Sequence, residues 1–230
     1  MARIKSNSSK IAFDYIKDKI DRYSLYPGST VSDLVISQEL NISRTPVREA
    51  IQELIQYNLI EKQRTKFVVK GISDSDINEI IDCREAVEVQ AARIIIKNGG
   101  LSENEKKEIE RIEKVIENSL IEKDYYLNFK SDALFHNSIV KFSKNSRLID
   151  IMKSLTIQGE RLRWLAMITP DRYDNAINEH KMIIKYIEEK KEIKLRECIG
   201  NHLNLTKLNY EKITSNASLD QIIIAFKQLV

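Results

Sequence analysis

The chain has 230 residues, enough for one large or two modest domains that bury a full core without disulfide help. Six Gly, three Pro and 31% charged residues point to a mostly helical protein, and the two cysteines, Cys83 and Cys198, lie far apart in helical patterns, which argues against a disulfide framework or a cysteine-based zinc site. No run approaches the roughly 18 apolar residues of a membrane span, and the opening MARIKSNSSK lacks the apolar core of a signal peptide, so a reduced, cytoplasmic protein with no membrane partner is expected. The net charge of +3 is unevenly spread: residues 1–70 carry 12 Lys/Arg against 8 Asp/Glu, leaving 25 against 26 for residues 71–230. That asymmetry permits nucleic-acid binding at the N-terminal end.

In chain order, Ile11, Ala12, Tyr15, Ile16, Ile20 and Tyr23 mark one face of a first helix, and Tyr26-Pro27-Gly28 ends it as a turn. Ser32 to Leu54, SDLVISQELNISRTPVREAIQEL, then reads as two short helices about a tight polar turn, a DNA-reading helix-turn-helix. In its second helix Val47, Ala50, Ile51, Leu54 and Ile55 form one buried stripe, while Arg44 and Arg48 share another face. Pro46 has no N–H to donate and fits only the first helical turn, with Ser43 or Thr45 as N-cap. Such a start projects Ser43, Arg44, Thr45 and Arg48 together, hydroxyls and guanidinium forks suited to phosphates and base edges. Leu59 to Gln63 and Lys66 to Lys70 have strand character and suggest a two-stranded wing, with Arg64 and Lys66 near its tip, where a wing touches the DNA backbone or minor groove. The usual hairpin Gly or Asn is missing there, which leaves the turn geometry open.

Gly71-Ile72-Ser73 closes this unit, dividing the chain into residues 1–72 and 73–230. The second part is helical almost throughout. Ser73 with Asp76 and Ser102 with Glu105 are S-x-x-[DE] capping boxes, and Asn98-Gly99-Gly100 is a helix stop between them. Further helices are expected near 124–142, 146–168, 172–189, 192–213 and 219–229, giving an all-α bundle of six or seven helices. The last carries Leu219, Ile222, Ile223, Phe226 and Leu229 on one face, fit to pack on the bundle or on a partner subunit.

All three histidines of the chain, His136, His180 and His202, fall in this bundle. Asp132 lies one turn before His136 on the same helical face. His180 sits about 10 residues before, and His202 about 12 after, a short connection near Lys190 and Lys191, so a helix hairpin would bring both to similar heights. One Asp and three His suit a divalent transition metal, with positions open for water or a ligand. The alternative is three unrelated histidines with ordinary hydrogen bonds.

Taken together, Pro27-Gly28, the string Asn41-Ile42-Ser43-Arg44-Thr45-Pro46-Val47-Arg48-Glu49-Ala50, the segment Arg84-Glu85-Ala86-Val87-Glu88 with Ala91-Ala92-Arg93, and Asp132 to His136, Asn145 to Leu148, Glu179-His180 and His202 resemble the GntR family of bacterial transcription regulators. The resemblance is to the subfamily with a FadR-type C-terminal (FCD) domain, and it spans nearly the whole chain. It implies a winged helix-turn-helix followed by an all-helical metal- and effector-binding domain, and a homodimer acting on a pseudo-palindromic double-stranded DNA operator, usually as a repressor. It implies that Asp132, His136, His180 and His202 are metal ligands, for zinc first and nickel, manganese or iron otherwise. A small organic acid would complete the coordination, with Arg84 either clamping its carboxylate or serving as a solvated or salt-bridging arginine. Arg161, Arg163 and Trp164 are further pocket candidates. Two departures from the family pattern stand out: Leu34 replaces a polar or basic residue before the turn, and Thr65-Lys66 replaces the wing glycine. The alternatives are a metal-stabilised DNA-binding protein without an effector and, further off, a metal-dependent hydrolase.

Overall fold

A computed structural model describes the backbone of residues 7–166 and 173–216, and the side chains of these except residues 125, 163–166, 173–174 and 213–216. Two compact units divide between Ser73 and Asp74. The first contains α1 (Asn7–Asp21), β1 (Thr30–Val31), α2 (Asp33–Glu39), α3 (Arg44–Gln56), β2 (Ile60–Gln63) and β3 (Lys66–Val69). The second is built from α4 (Asp74–Lys97), α5 (Glu103–Ile121), α6 (Tyr125–Phe142), α7 (Ser146–Ala166), α8 (Tyr173–Glu188) and α9 (Glu192–Asn216). No helix among the described residues is long and apolar enough to cross a membrane.

In the first unit α1 packs on α3, and α3 on α2 and β2. The α3 stripe Val47, Ala50, Ile51 and Leu54 and the α1 residues Ala12, Ile16 and Ile20 are all buried where the two helices pack, each Val, Ile or Leu among them contributing about 1.5–3 kcal/mol by its burial. The α1 face differs from the expected one at Ile11, which is 46% exposed, while Phe13 is buried and meets the Tyr57 ring edge-on at 5.9 Å. Asn41 makes the tight turn between α2 and α3 at φ +52°, a left-handed conformation that asparagine tolerates better than most residues. Gly28 takes φ +88° in the turn after α1, where its lack of a Cβ is needed.

The wing is a three-stranded antiparallel sheet ordered β1-β3-β2, rather than the expected two-stranded one. Thr30 and Val31 pair with Val68 and Phe67, too short a strand to leave an alternation in the sequence. Gln63 pairs with Lys66 across the two-residue tip, and Arg64 adopts the left-handed φ of +53° that glycine would take in a hairpin.

In the second unit α4 contacts α6, α7, α8 and α9, so it is the element around which the bundle closes. Its Val87 and Ala91 join Val140, Met152 and Leu155 in one buried cluster. Ser102 and Glu105 form the expected reciprocal capping box at the start of α5, and α4 starts one residue after Ser73. Residues 189–191 turn α9 back along α8, with Lys190 at φ +55°. Six helices therefore make up the described bundle; the expected helix at 219–229 lies outside the described residues.

Candidate functional site

Two groups of residues carry chemistry, one in each unit. In the first, Ser43 is the N-cap residue of α3, but its hydroxyl makes no capping bond; Thr45 lies inside the helix and is not the cap. Ser43, Arg44, Thr45 and Arg48 are all exposed, as are Arg64 and Lys66 on the wing. Ser43 at the cap and Arg44 and Thr45 in the first turn of α3, with Arg48 one turn on, thus cluster donor-bearing side chains at a helix start, where the N-terminal N–H groups also favour phosphate. Leu34 and Val35 on α2 are about half exposed, so the departure at Leu34 puts an apolar group on the surface of the motif.

In the second unit α6, α8 and α9 each deliver one imidazole to the same buried point. His136, His180 and His202 are at most 3% exposed, and one ring nitrogen of each lies within 4.8 Å of the others. His136 Nε2 and His202 Nε2 are 3.1 Å apart. Asp132 Oδ1 lies 3.6 Å from His180 Nε2 and 3.8 Å from His136 Nε2. The His180 ring stacks on Phe135 with centroids 4.0 Å apart, which fixes its plane.

Two carboxylates that the sequence reading did not single out set the tautomers. Glu88 Oε2 is 2.6 Å from His136 Nδ1, and Glu179 Oε2 is 2.7 Å from His202 Nδ1. Each Nδ1–H donates to its carboxylate, which leaves both Nε2 atoms as lone-pair acceptors pointing at one another. Burial pushes the Glu88 carboxyl up, but the His136 contact and the Arg84 guanidinium overcome this and hold it well below the usual carboxylate range. Burial lowers the His136 pKa and, with the neighbouring His202, takes that of His180 well below its ordinary value. The rings of His136 and His180 therefore resist protonation.

His180 is more exposed to the same problem. Both its ring nitrogens are buried and have no hydrogen-bond partner, a state that costs about 1–3 kcal/mol for each unsatisfied group. A cation would take up the facing Nε2 lone pairs and one of the two His180 nitrogens, leaving the other His180 nitrogen as the remaining buried polar group without a partner. Two nitrogens each about 2.1 Å from a metal lie about 3.0 Å apart at a right angle and about 3.4 Å at the tetrahedral angle, which brackets the observed 3.1 Å. The donor set of three neutral imidazoles and one carboxylate, with carboxylates behind two of the rings, fits a divalent transition metal.

Arg84 is buried beside the cluster. Its Nε donates to Glu88 Oε1 at 2.9 Å, and its Nη2 lies 2.9 Å from the same oxygen without hydrogen-bonding alignment, so that nitrogen's donor capacity is unspent. Arg161 is also buried. The side chains of Arg163 and Trp164 lie outside the described ones.

Family models match both units: residues 9–67 fit the bacterial regulatory proteins of the gntR family, and residues 79–205 fit the FCD domain. The chain is similar to the uncharacterized HTH-type transcriptional regulator YdhC of Bacillus subtilis (strain 168), at 24% identity over 84% of this chain and 86% of that one. It is 29% identical to the probable D-xylose utilization operon transcriptional repressor of Paenarthrobacter nicotinovorans, over 76% of each chain. Among solved structures, E. coli McbR/YncC superposes with a TM-score of 0.76 at 18% identity, covering 90% of this chain and 99% of that one. These relatives are regulators rather than enzymes, which removes the hydrolase alternative. A winged helix-turn-helix with two exposed arginines, followed by a helical bundle matching the FCD model over more than half the chain, makes this protein a transcription regulator of the GntR family with an FCD domain.

Proposed function

We propose that this regulator works as a homodimer that reads a pseudo-palindromic operator through α3, under the control of a small organic acid bound at a metal in the α4–α9 bundle. Arg44 and Arg48 contact guanine edges and phosphates, Ser43 and Thr45 contact phosphates or bases, and Arg64 and Lys66 touch the backbone from the wing. Asp132, His136, His180 and His202 hold the metal, zinc first and nickel, manganese or iron otherwise, and the acid completes its coordination. Arg84 offers the unspent Nη2 donor to the acid's carboxylate.

The observation that carries this proposal is the pair of Nε2 atoms facing each other at 3.1 Å, each ring tied to a carboxylate through Nδ1. A purely structural cluster would place a donor between two acceptors. The unspent donor on Arg84 favours a sensor over a metal that only braces helices. The names of some relatives refer to D-xylose utilisation and gluconate operons, so sugar acids belong among the probes.

The test is a thermal-shift series on full-length protein: chelator-treated, then reloaded with zinc, nickel or manganese, then exposed to succinate, citrate and gluconate. Stabilisation by metal and further stabilisation by one acid on metal-loaded protein alone is the expected result. No metal response would overturn the site; a metal response with none to acids across a broad panel would leave the bracing role.

A further inference from the structure

The two arginines of α3 rest on a single carboxylate supplied by α2. Arg44 Nη2 donates to both oxygens of Asp33, at 2.9 and 3.0 Å, and Arg48 Nε donates to Oδ2 at 2.5 Å. The three side chains form a layered arrangement: Asp33 is 14% exposed, Arg44 49% and Arg48 60%, so the carboxylate lies beneath and the guanidiniums face outward. Burial pushes the Asp33 carboxyl up, but the hydrogen bonds and charges of Arg44 and Arg48 bring it below its ordinary value, keeping it ionised at neutral pH.

An exposed ion pair of this kind adds little to stability, so its effect is better sought in the arginines themselves. Arg48 spends only its Nε on Asp33, which leaves the Nη1/Nη2 fork that matches guanine O6 and N7. Held from behind, both long side chains lose rotamer freedom before DNA arrives. The trio also carries a net charge of +1 where the arginines alone would carry +2, which weakens attraction to phosphates that hold no sequence information.

We infer that Asp33 is a positioning residue for sequence reading: it aims the Arg48 fork at base edges, holds Arg44 through its Nη2, and withholds both arginines from backbone phosphates, giving up non-specific affinity for specificity. The inference rests on α3 being the DNA-reading helix. In the test, full-length wild type, Asp33→Asn, Asp33→Glu and Arg48→Ala each select duplexes from a pool with a randomised core. Fluorescence anisotropy over a salt series then compares the wild-type-enriched duplex with a scrambled one. Asp33→Asn keeps the side-chain shape and loses the charge. It should bind the scrambled duplex more tightly, with a salt slope steeper by about 1 to 2 as two arginines gain phosphate contacts. Its specific-to-non-specific ratio should fall about 5- to 150-fold, the value of one bidentate base contact, and Asp33→Glu should recover part of that ratio.

A merely structural role would weaken both duplexes in parallel, and that result overturns the inference, as does an Asp33→Asn protein with unchanged ratio and slope. If wild type enriches a motif that Arg48→Ala loses while Asp33→Asn reads it normally, only the role of Asp33 falls. If wild type enriches no motif, the assignment of α3 falls and takes this inference with it.

Discussion

At the scale of single residues, His180 separates the site's electrostatics from its packing. Its pKa is lowered mainly by burial, and His136 is lowered for the same first reason, so the folded protein resists protons that the unfolded chain takes up near pH 6.5. The unfolded state then binds more protons, and stability falls as pH drops below about 6.5 toward the depressed folded values. Chelator-treated protein melted between pH 7.5 and 5 should lose stability in that window. His180→Phe, which keeps a flat ring against Phe135, should flatten the curve and abolish metal binding in a calorimetric titration; an unchanged pH profile would contradict the assignment. Among the residues proposed to face DNA, Arg44→Ala or Arg48→Ala should reduce specific binding by about 5- to 150-fold, far more than Lys66→Ala, in gel shifts on a selected duplex.

The imidazole convergence was legible because helix rise makes height across a hairpin a matter of counting, and residues 180 and 202 are nearly equidistant from the 189–191 connection. Glu88 and Glu179 were not legible. A glutamate four residues after an arginine on a helix, or one directly before a histidine, looks like an ordinary solvated charge until the tertiary fold places a ring nitrogen 2.6 or 2.7 Å away. Asp33 is a similar case, since nothing in its local sequence says that two arginines 11 and 15 residues later will share it.

At the scale of elements, two serines at helix starts make a contrast. Ser102 accepts from the Glu105 N–H and completes a capping box, whereas Ser43 occupies the cap position of α3 without a capping bond. Ser102→Ala should therefore cost about 1 kcal/mol in chemical denaturation. Ser43→Ala should leave stability within a few tenths of a kcal/mol while weakening DNA binding. Equal stability losses would mean that Ser43 is an ordinary cap. The long helices followed from apolar periodicity and stop signals, because those features act within one turn of the chain. The strand Thr30–Val31 did not, because two residues have no periodicity and pair only when β3 is already in place. The wing tip has no glycine to mark its turn in the sequence, and Arg64 fills the left-handed position instead.

At the scale of the whole molecule, the proposed regulator pairs a first unit whose α3 arginines are exposed with a second unit whose three imidazoles are buried. The proposed symmetric dimer would present two copies of α3, so selected duplexes should contain two half-sites about one helical turn apart, or a multiple of it. Moving the half-sites apart by half a turn should abolish cooperative binding, as read by footprinting. Coupling between the units has a required magnitude: an effector that alters DNA affinity by 5- to 150-fold corresponds to about 1–3 kcal/mol of differential binding. The most direct measurement is the anisotropy-derived Kd of metal-loaded, full-length protein for its selected duplex, with and without the acid that stabilises it. Metal-linked effector control requires at least a fivefold change in Kd that disappears in His136→Ala and after chelation; an identical Kd with and without acid, at concentrations that saturate the thermal shift, would contradict it.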